Sequence, residues 1–530
     1  MKGFLQTVEV NRGLYDPQFS KVTIMLTSST VAKDFLQQLS NQAPVVDELD
    51  LTLNWDFNSS DLSRVVETLA QTNVRFLTLD LKDGEGVRLN IKLPGRGKYH
   101  ALLDLLSNRT LQTLTLKRLD YFGSRTSSLS RDQLPSMLRS LHYRFHIRSR
   151  DQSRVASIIS QCPNLVDLRL GGGDIRSEMH PELSLAIGTL GRLEVLHLFT
   201  FWSETKADIV GLFSGVAKSA SNLRELVLMN VGYVTAELRH AVDTFAGTLE
   251  RLVIDCDAFL RNGVLAGSTA LQRRPSGDYS GVFTRLTQLD LNECSSELIE
   301  IWCLILPHLS LTHLGLRGEY QSCFLDFVNF STLRSISLEG MDSKSISPLW
   351  QSFPEYGGSS QIDKLSLDRI RGFDDILIYL SVISLKRLWL GQTDYNVSDD
   401  FRHSFFNSKL PPSYSSMSRT TTEPYWTDCL VERLNLSRLE VLMLLGCGYD
   451  KQSERILARR HDGFSDRFMV HVGHYLQDNA KPTPDSNFDS IDMSPESTIH
   501  KDDGALDPRR VKMYHKASYT DLRFQLMIEN

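Results

Sequence analysis

The sequence predicts an α/β fold built as a solenoid, with a parallel sheet on its concave side and helices on its convex side. Two observations predict it. The first is a spacing: in Leu165-Val166-Asp167-Leu168-Arg169-Leu170 leucines stand at positions one, four and six, and the frame returns as Leu193, Leu196, Leu198 and as Leu223, Leu226, Leu228. Positions four and six of a short strand point to one side because a strand repeats every two residues, and the first leucine comes inward from the preceding turn. The second is a change of period between copies. Val155, Ile158, Ile159 and Cys162 recur at i, i+3, i+4 and i+7, one face of a helix. One strand and one helix cannot bury such a face, whereas stacked copies cover one another.

Taken in order, clear copies open at Val46, Val74, Leu111, Leu138, Leu165, Leu193, Leu223, Leu249, Leu286, Leu311, Leu333, Ile362 and Leu385. These starts span 385 − 46 = 339 residues in twelve intervals, about 28 each, which is the spacing of a leucine-rich repeat. Ahead of them, residues 1–54 read as an atypical cap, with Leu5, Val8 and Val10 in the frame and Val22, Ile24 and Leu26 alternating, or as the interior of a longer protein. Helical spacing recurs at Leu62, Val65, Val66, Leu69, at Leu238, Ala241, Val242, Phe245 and at Leu298, Ile301, Trp302, Ile305, with Ser60 or Asp61 and Asp151 as N-caps. The two longest intervals carry insertions at 81–100 and 261–282, rich in turn residues. A Ser/Thr/Pro-rich insertion at 394–427 delays the fourteenth copy to Leu439, Leu442, Leu444, so the solenoid is expected over 46–450.

Beyond it, Phe468, Val472, Tyr475 and Leu476 suggest a closing helix within 451–477. Residues 478–507 hold eight acidic residues against two lysines and are expected to be disordered, which would leave Thr483-Pro484 and Ser494-Pro495 open to proline-directed kinases. Leu522, Phe524, Leu526 and Ile528 alternate, so 508–530 is expected to hold a terminal strand.

The stretch Cys162-Pro163-Asn164-Leu165-Val166-Asp167-Leu168-Arg169-Leu170 resembles the repeat opening of the ribonuclease-inhibitor-like superfamily, and of its F-box leucine-rich members in particular. That resemblance implies a horseshoe that binds proteins. In the F-box branch it also implies a substrate receptor of a cullin-type ubiquitin ligase, with a helical F-box ahead of the repeats. Here the strand-like alternation within residues 1–54 occupies that place, and only Cys294 keeps the family's cysteine, after Leu291.

Composition narrows the function. A net charge of -6 carries no basic excess, which argues against nucleic acid. The longest apolar run, Ile301 to Leu306, is far too short for a membrane span, and Met1 to Asn11 lacks the apolar region of a secretory signal. Seven scattered cysteines without a CxxC pair argue against a disulfide framework or a structural zinc, so the expected home is the cytoplasm or nucleus. Leu93-Pro94-Gly95-Arg96-Gly97-Lys98-Tyr99 lacks the glycine and hydroxyl residue of a phosphate-binding loop, and His142 with His146 lacks a third ligand. No catalytic motif, cofactor site or metal site is therefore expected. What remains is the concave face, where positions three, five and seven meet a partner. They include Lys117, His142, Arg144 and Arg169, then Val195, His197, Phe199, Glu225, Val227 and Met229. A basic strip beside an apolar one suits a protein partner with an acidic surface, while Arg387 and Trp389 form a second candidate. The expectation is a non-catalytic protein-binding adaptor, with the ligase receptor as the alternative.

Overall fold

All fourteen repeat-opening residues, from Val46 to Leu439, are buried, and in every one of these repeats the strand begins two residues later. The computed structural model describes residues 8, 14–16, 18, 20–41, 46–54, 59–82, 110–117, 137–144, 149–171, 181–199, 215–216, 222–229, 245–255, 283–292, 296–318, 324–371, 374–391, 434–445, 469–473 and 511–514. They divide into two units, Met1–Leu286 and Thr287–Asn530.

The first unit carries β1 (Leu14–Asp16), β2 (Lys21–Leu26), β3 (Glu48–Asn54), β4 (Phe76–Lys82), β5 (Thr113–Lys117), β6 (Ser140–Arg144), β7 (Asp167–Leu170), β8 (Val195–Phe199), β9 (Glu225–Met229) and β10 (Arg251–Asp255). Strand β1 pairs antiparallel with β2, and each later strand joins its predecessor in parallel. The helices are α1 (Ser29–Asn41), α2 (Ser59–Ala70), α3 (Ser149–Ser160) and α4 (Pro181–Gly188). Helix α1 lies against β2 and beside α2, and α3 packs on α4. Leucines at positions four and six, such as Leu168 and Leu170, are fully buried with Val155, Ile158 and Ile159 of α3. Odd positions are left on the open face of the sheet.

The second unit carries β11 (Gln288–Asn292), β12 (His313–Arg317), β13 (Ser335–Glu339), β14 (Lys364–Asp368), β15 (Arg387–Leu390), β16 (Val441–Leu445), β17 (Met469–Gly473) and β18 (Val511–Tyr514), parallel throughout. Its helices are α5 (Ser296–Ile305), α6 (Ser347–Ser352) and α7 (Asp374–Leu380), and Trp350 of α6 stacks on Tyr379 of α7 at 5.0 Å. The 22-residue repeat opened by Leu311 has no room for a full helix and uses a 3-10 turn, Phe324–Phe327. Position eight turns left-handed in three successive repeats, at Gly318, Gly340 and Arg369. Glycine adopts that conformation freely, and Arg369 adopts it while gripping Glu339. Both units are leucine-rich-repeat solenoids.

A ladder of backbone carbonyls sets the register. The position-two carbonyl of one repeat accepts the N–H groups of positions two and three of the next: Asp47 O takes Arg75 N and Phe76 N, and Val166 O takes Glu194 N and Val195 N.

Some expectations change in detail. Residues 469–473 form a strand where a closing helix was expected, because Val470 and Val472 alternate and β-branched residues favour the pleat; Phe468, Tyr475 and Leu476 lie outside the described residues. Strand Val511–Tyr514 falls within 508–530, where a terminal strand was expected, and 522–528 lie outside the described residues. Val8 is buried in helical backbone, since a spacing of three from Leu5 suits a helix as well as the repeat frame. Leu81 and Lys82, expected within the insertion at 81–100, instead continue β4 in register with Leu53 and Asn54, and 83–100 lie outside the described residues. Helices α2 and α3 also begin one or two residues before the expected caps, at Ser59 and Ser149. The acidic stretch 478–507, with Thr483 and Ser494, the insertions at 261–282 and 394–427, and Leu238, Ala241 and Val242 lie outside the described residues.

Candidate functional site

Because the strands pair without slippage, odd positions line up into rows that cross the open face of the first unit. Position five gives Thr115, His142, Arg169, His197 and Val227 on β5 to β9. Position three gives Ser140, Asp167, Val195, Glu225 and Arg251 on β6 to β10. At position seven Lys117 stands in register with Arg144, and Phe199 with Met229. Strand pairing thus brings the predicted residues of this strip together. The side chains of Lys117, Arg144, Phe199 and Met229 lie outside the described residues.

Two hydrogen-bonded groups occupy the rows. In the first, His142 Nε2 lies 2.9 Å from both Ser140 Oγ and Asp167 Oδ2, and Arg169 Nε donates to Asp167 Oδ1 at 3.0 Å. Burial pushes the Asp167 carboxyl up, but hydrogen bonds and charge from His142 and Arg169 outweigh it and hold the group at about 2. An ionised carboxylate only accepts, so the ring proton sits on Nε2. In the second group, His197 Nε2 donates to Glu225 Oε1 at 2.8 Å and Arg251 donates to the same oxygen at 2.7 Å. Burial pushes His197 below its ordinary value against the pull of Glu225. Glu225 is itself pushed up by burial, yet held below the carboxylate range by His197, Arg251 and Arg169.

The members of each group hold one another in place. A Ser-His-Asp triad needs the nucleophile and the orienting acid on opposite ring nitrogens. Here Ser140 and Asp167 meet the same one, and Ser140 Oγ also donates to Asp167 Oδ2 at 3.2 Å. The hydroxyl at the other nitrogen, Thr115 Oγ1 at 3.3 Å, is buried. Among the described residues, no group of three or more His, Cys, Asp or Glu is placed to hold a metal ion.

Two of the predicted contact residues, His197 and Val227, lie on the expected face and are only 5% and 4% exposed. The repeat frame fixes which way a side chain leaves the sheet, and neighbouring side chains decide whether solvent reaches it. Sequence reasoning also passed over Asp167 and Arg251, although the position-three rule that found Glu225 marks both. It passed over Phe76 and Met25 as well, which stand on the open face of β4 and β2, 38% and 40% exposed.

The second unit repeats the theme. Asp290 accepts from His313 at 3.1 Å and leans over Gly315, where a Cβ would fall 1.8 Å from its carboxylate oxygen. Glu339 is buried between Arg317, at 3.2 Å, and Arg369. Arg387 is exposed on β15, and Trp389 is half-buried with an Nε1 that meets no hydrogen-bond partner among the described residues.

No protein-family model matches the chain, and no curated protein matches it. Among solved structures, an internalin of Listeria monocytogenes is similar, with a TM-score of 0.36 and 14% identity, over 70% of this chain and 86% of the internalin.

Proposed function

We propose that this chain is a non-catalytic protein-binding scaffold whose partner lies across β5 to β10 on the concave, open face of the first unit. The observation that carries the reading is the pair of hydrogen-bonded ionic groups built by His142, Asp167, Arg169 and by His197, Glu225, Arg251. Side chains already fixed by their neighbours lose little freedom on binding, which favours affinity. Asp167 and Glu225 offset the arginines beside them, so the residual positive charge falls to Lys117 and Arg144 at position seven. An acidic partner surface complements that pair, and Phe199 with Met229 supplies apolar contact one strand beyond β7. Repeat intervals near 28 residues with intervening helices support kinship with the ribonuclease-inhibitor-like branch. Free thiols at Cys162 and Cys303 support a reducing compartment, cytoplasm or nucleus. Among the described residues no helix is long and apolar enough to cross a membrane.

The test is capture of a partner followed by binding kinetics on two variants. Phe199→Ala is expected to weaken the complex by about 2 kcal/mol, mainly through faster dissociation. Arg144→Glu is expected to slow association, less so at high salt. A partner that binds the double variant as tightly as the parent moves the site away from this strip, toward Arg387 and Trp389.

A further inference from the structure

The start of the same sheet has a different chemistry. On the open face of β2 to β4, positions three, five and seven hold three carboxylates, Glu48, Asp50 and Asp80, and one cation, Lys21, while Asp80 stands in register with Lys117 of β5. Glu48 takes that cation at 2.6 Å. Asp50 is half-buried at the centre of the grid, with no ion pair or hydrogen bond to any described residue. The two exposed apolar side chains stand on a diagonal through it: Met25 at position seven of β2 and Phe76 at position three of β4, with Asp50 at position five of the strand between. Each lies one strand across and two residues along from Asp50, about 8 Å by strand geometry.

We infer that this face docks an extended segment of a partner protein in which a lysine or arginine is flanked, two residues away on either side, by apolar side chains. The inference rests on the protein-binding reading above and adds a second contact of opposite sign. In an extended chain, alternate residues on one face recur about every 6.6 Å, so a basic residue over Asp50 carries its i−2 and i+2 neighbours toward Met25 and Phe76. The cation finds a carboxylate that no donor among the described residues engages, and the ring of Phe76 offers an aromatic surface to an aliphatic or aromatic neighbour. One side of that ring is already taken by Arg75, 5.6 Å from its centroid and tied down by Asp47 at 2.7 Å, so the incoming residue meets the other side. The carboxylate of Asp50 repels phosphate, which leaves nucleic acid and anionic lipid as poor occupants.

The experiment pans a phage-displayed random heptapeptide library on the full chain, then repeats the panning on Asp50→Lys and Phe76→Ser variants whose folding is checked by circular dichroism. Peptides with a basic residue between apolar ones at two-residue spacing are expected to be enriched on the parent. A synthetic peptide of that pattern is expected to lose affinity about tenfold or more on Asp50→Lys, the scale of one charge-assisted contact. Enrichment of acidic peptides, enrichment untouched by both variants, or no enrichment at all overturns the inference. If the enriched peptides are instead lost on Arg144→Glu with Phe199→Ala, this face is excluded while the protein-binding reading stands.

Discussion

Asp167 is where most of the chemistry of the first unit's open face converges, since it accepts from Ser140, His142 and Arg169 at once. Its carboxyl, held at about 2 against an ordinary 3.8, is depressed in the folded protein. Stability from that source is therefore present above about pH 4 and is lost as pH falls toward 2, an amount of about 2 kcal/mol. Asp167→Asn should flatten the acid limb of a urea-denaturation series between pH 4 and pH 2, and an unchanged limb would place the depression elsewhere. His197 has the opposite charge type with the same acid sensitivity. Burial lowers its folded pKa from 6.5, so the unfolded chain binds the extra proton first and stability falls as pH drops below about 6.5. His197→Gln, which keeps a donor for Glu225, should reduce the change in denaturation midpoint between pH 7.5 and pH 5.5. At this scale the sequence announced direction and missed partnership. The frame put His142, Arg169 and His197 on one face, but the burial of His197 and the role of Asp167 depend on side chains from three strands, which no single repeat displays.

The strand is the element that leucine spacing specifies best, because a one-residue slip would expose the leucines that Leu168 and Leu196 exemplify, both fully buried. Leu168→Ala should cost about 2 to 5 kcal/mol in urea titration. Amides of β6 to β8 should then exchange faster while β13 and β14 keep their protection, since each repeat leans on its neighbours. Helices are specified less sharply. Gly188, the last residue of α4, approaches Gly215 so closely that a Cβ on Gly215 would sit 2.8 Å from the Gly188 Cα. Backbone cannot rotate out of the way as a side chain does, so Gly215→Ala should destabilise by about 1 to 3 kcal/mol, seen as a lower thermal midpoint. Nothing in leucine periodicity marks that contact, and nothing in it distinguished the strand Met469–Gly473 from a helix, since a short apolar run satisfies both periods until a neighbouring strand pairs with it.

For the molecule as a whole, the position-two carbonyl ladder does what no loop has to do. The starts Leu385 and Leu439 lie 54 residues apart, about twice the usual interval, yet Lys386 O accepts Glu440 N at 2.8 Å and Val441 N at 3.1 Å, as in the shorter repeats. Strand β16 keeps the register of its neighbours. For the insertion that composition predicts at 394–427, closing a longer loop costs only the logarithm of its length, so ten further Gly/Ser residues placed after Ser415 should change stability by about 0.2 kcal/mol. Val441→Pro, which deletes a ladder donor without changing any length, should cost about 3 kcal/mol. Denaturation of the two variants side by side checks the contrast. Length between strands is thus nearly a free variable, while step between strands is not. A reporter or a foreign epitope can be grafted there without renegotiating the sheet, and descendants of this gene are at liberty to differ in size between Gly391 and Leu434 while their strands keep the same cadence.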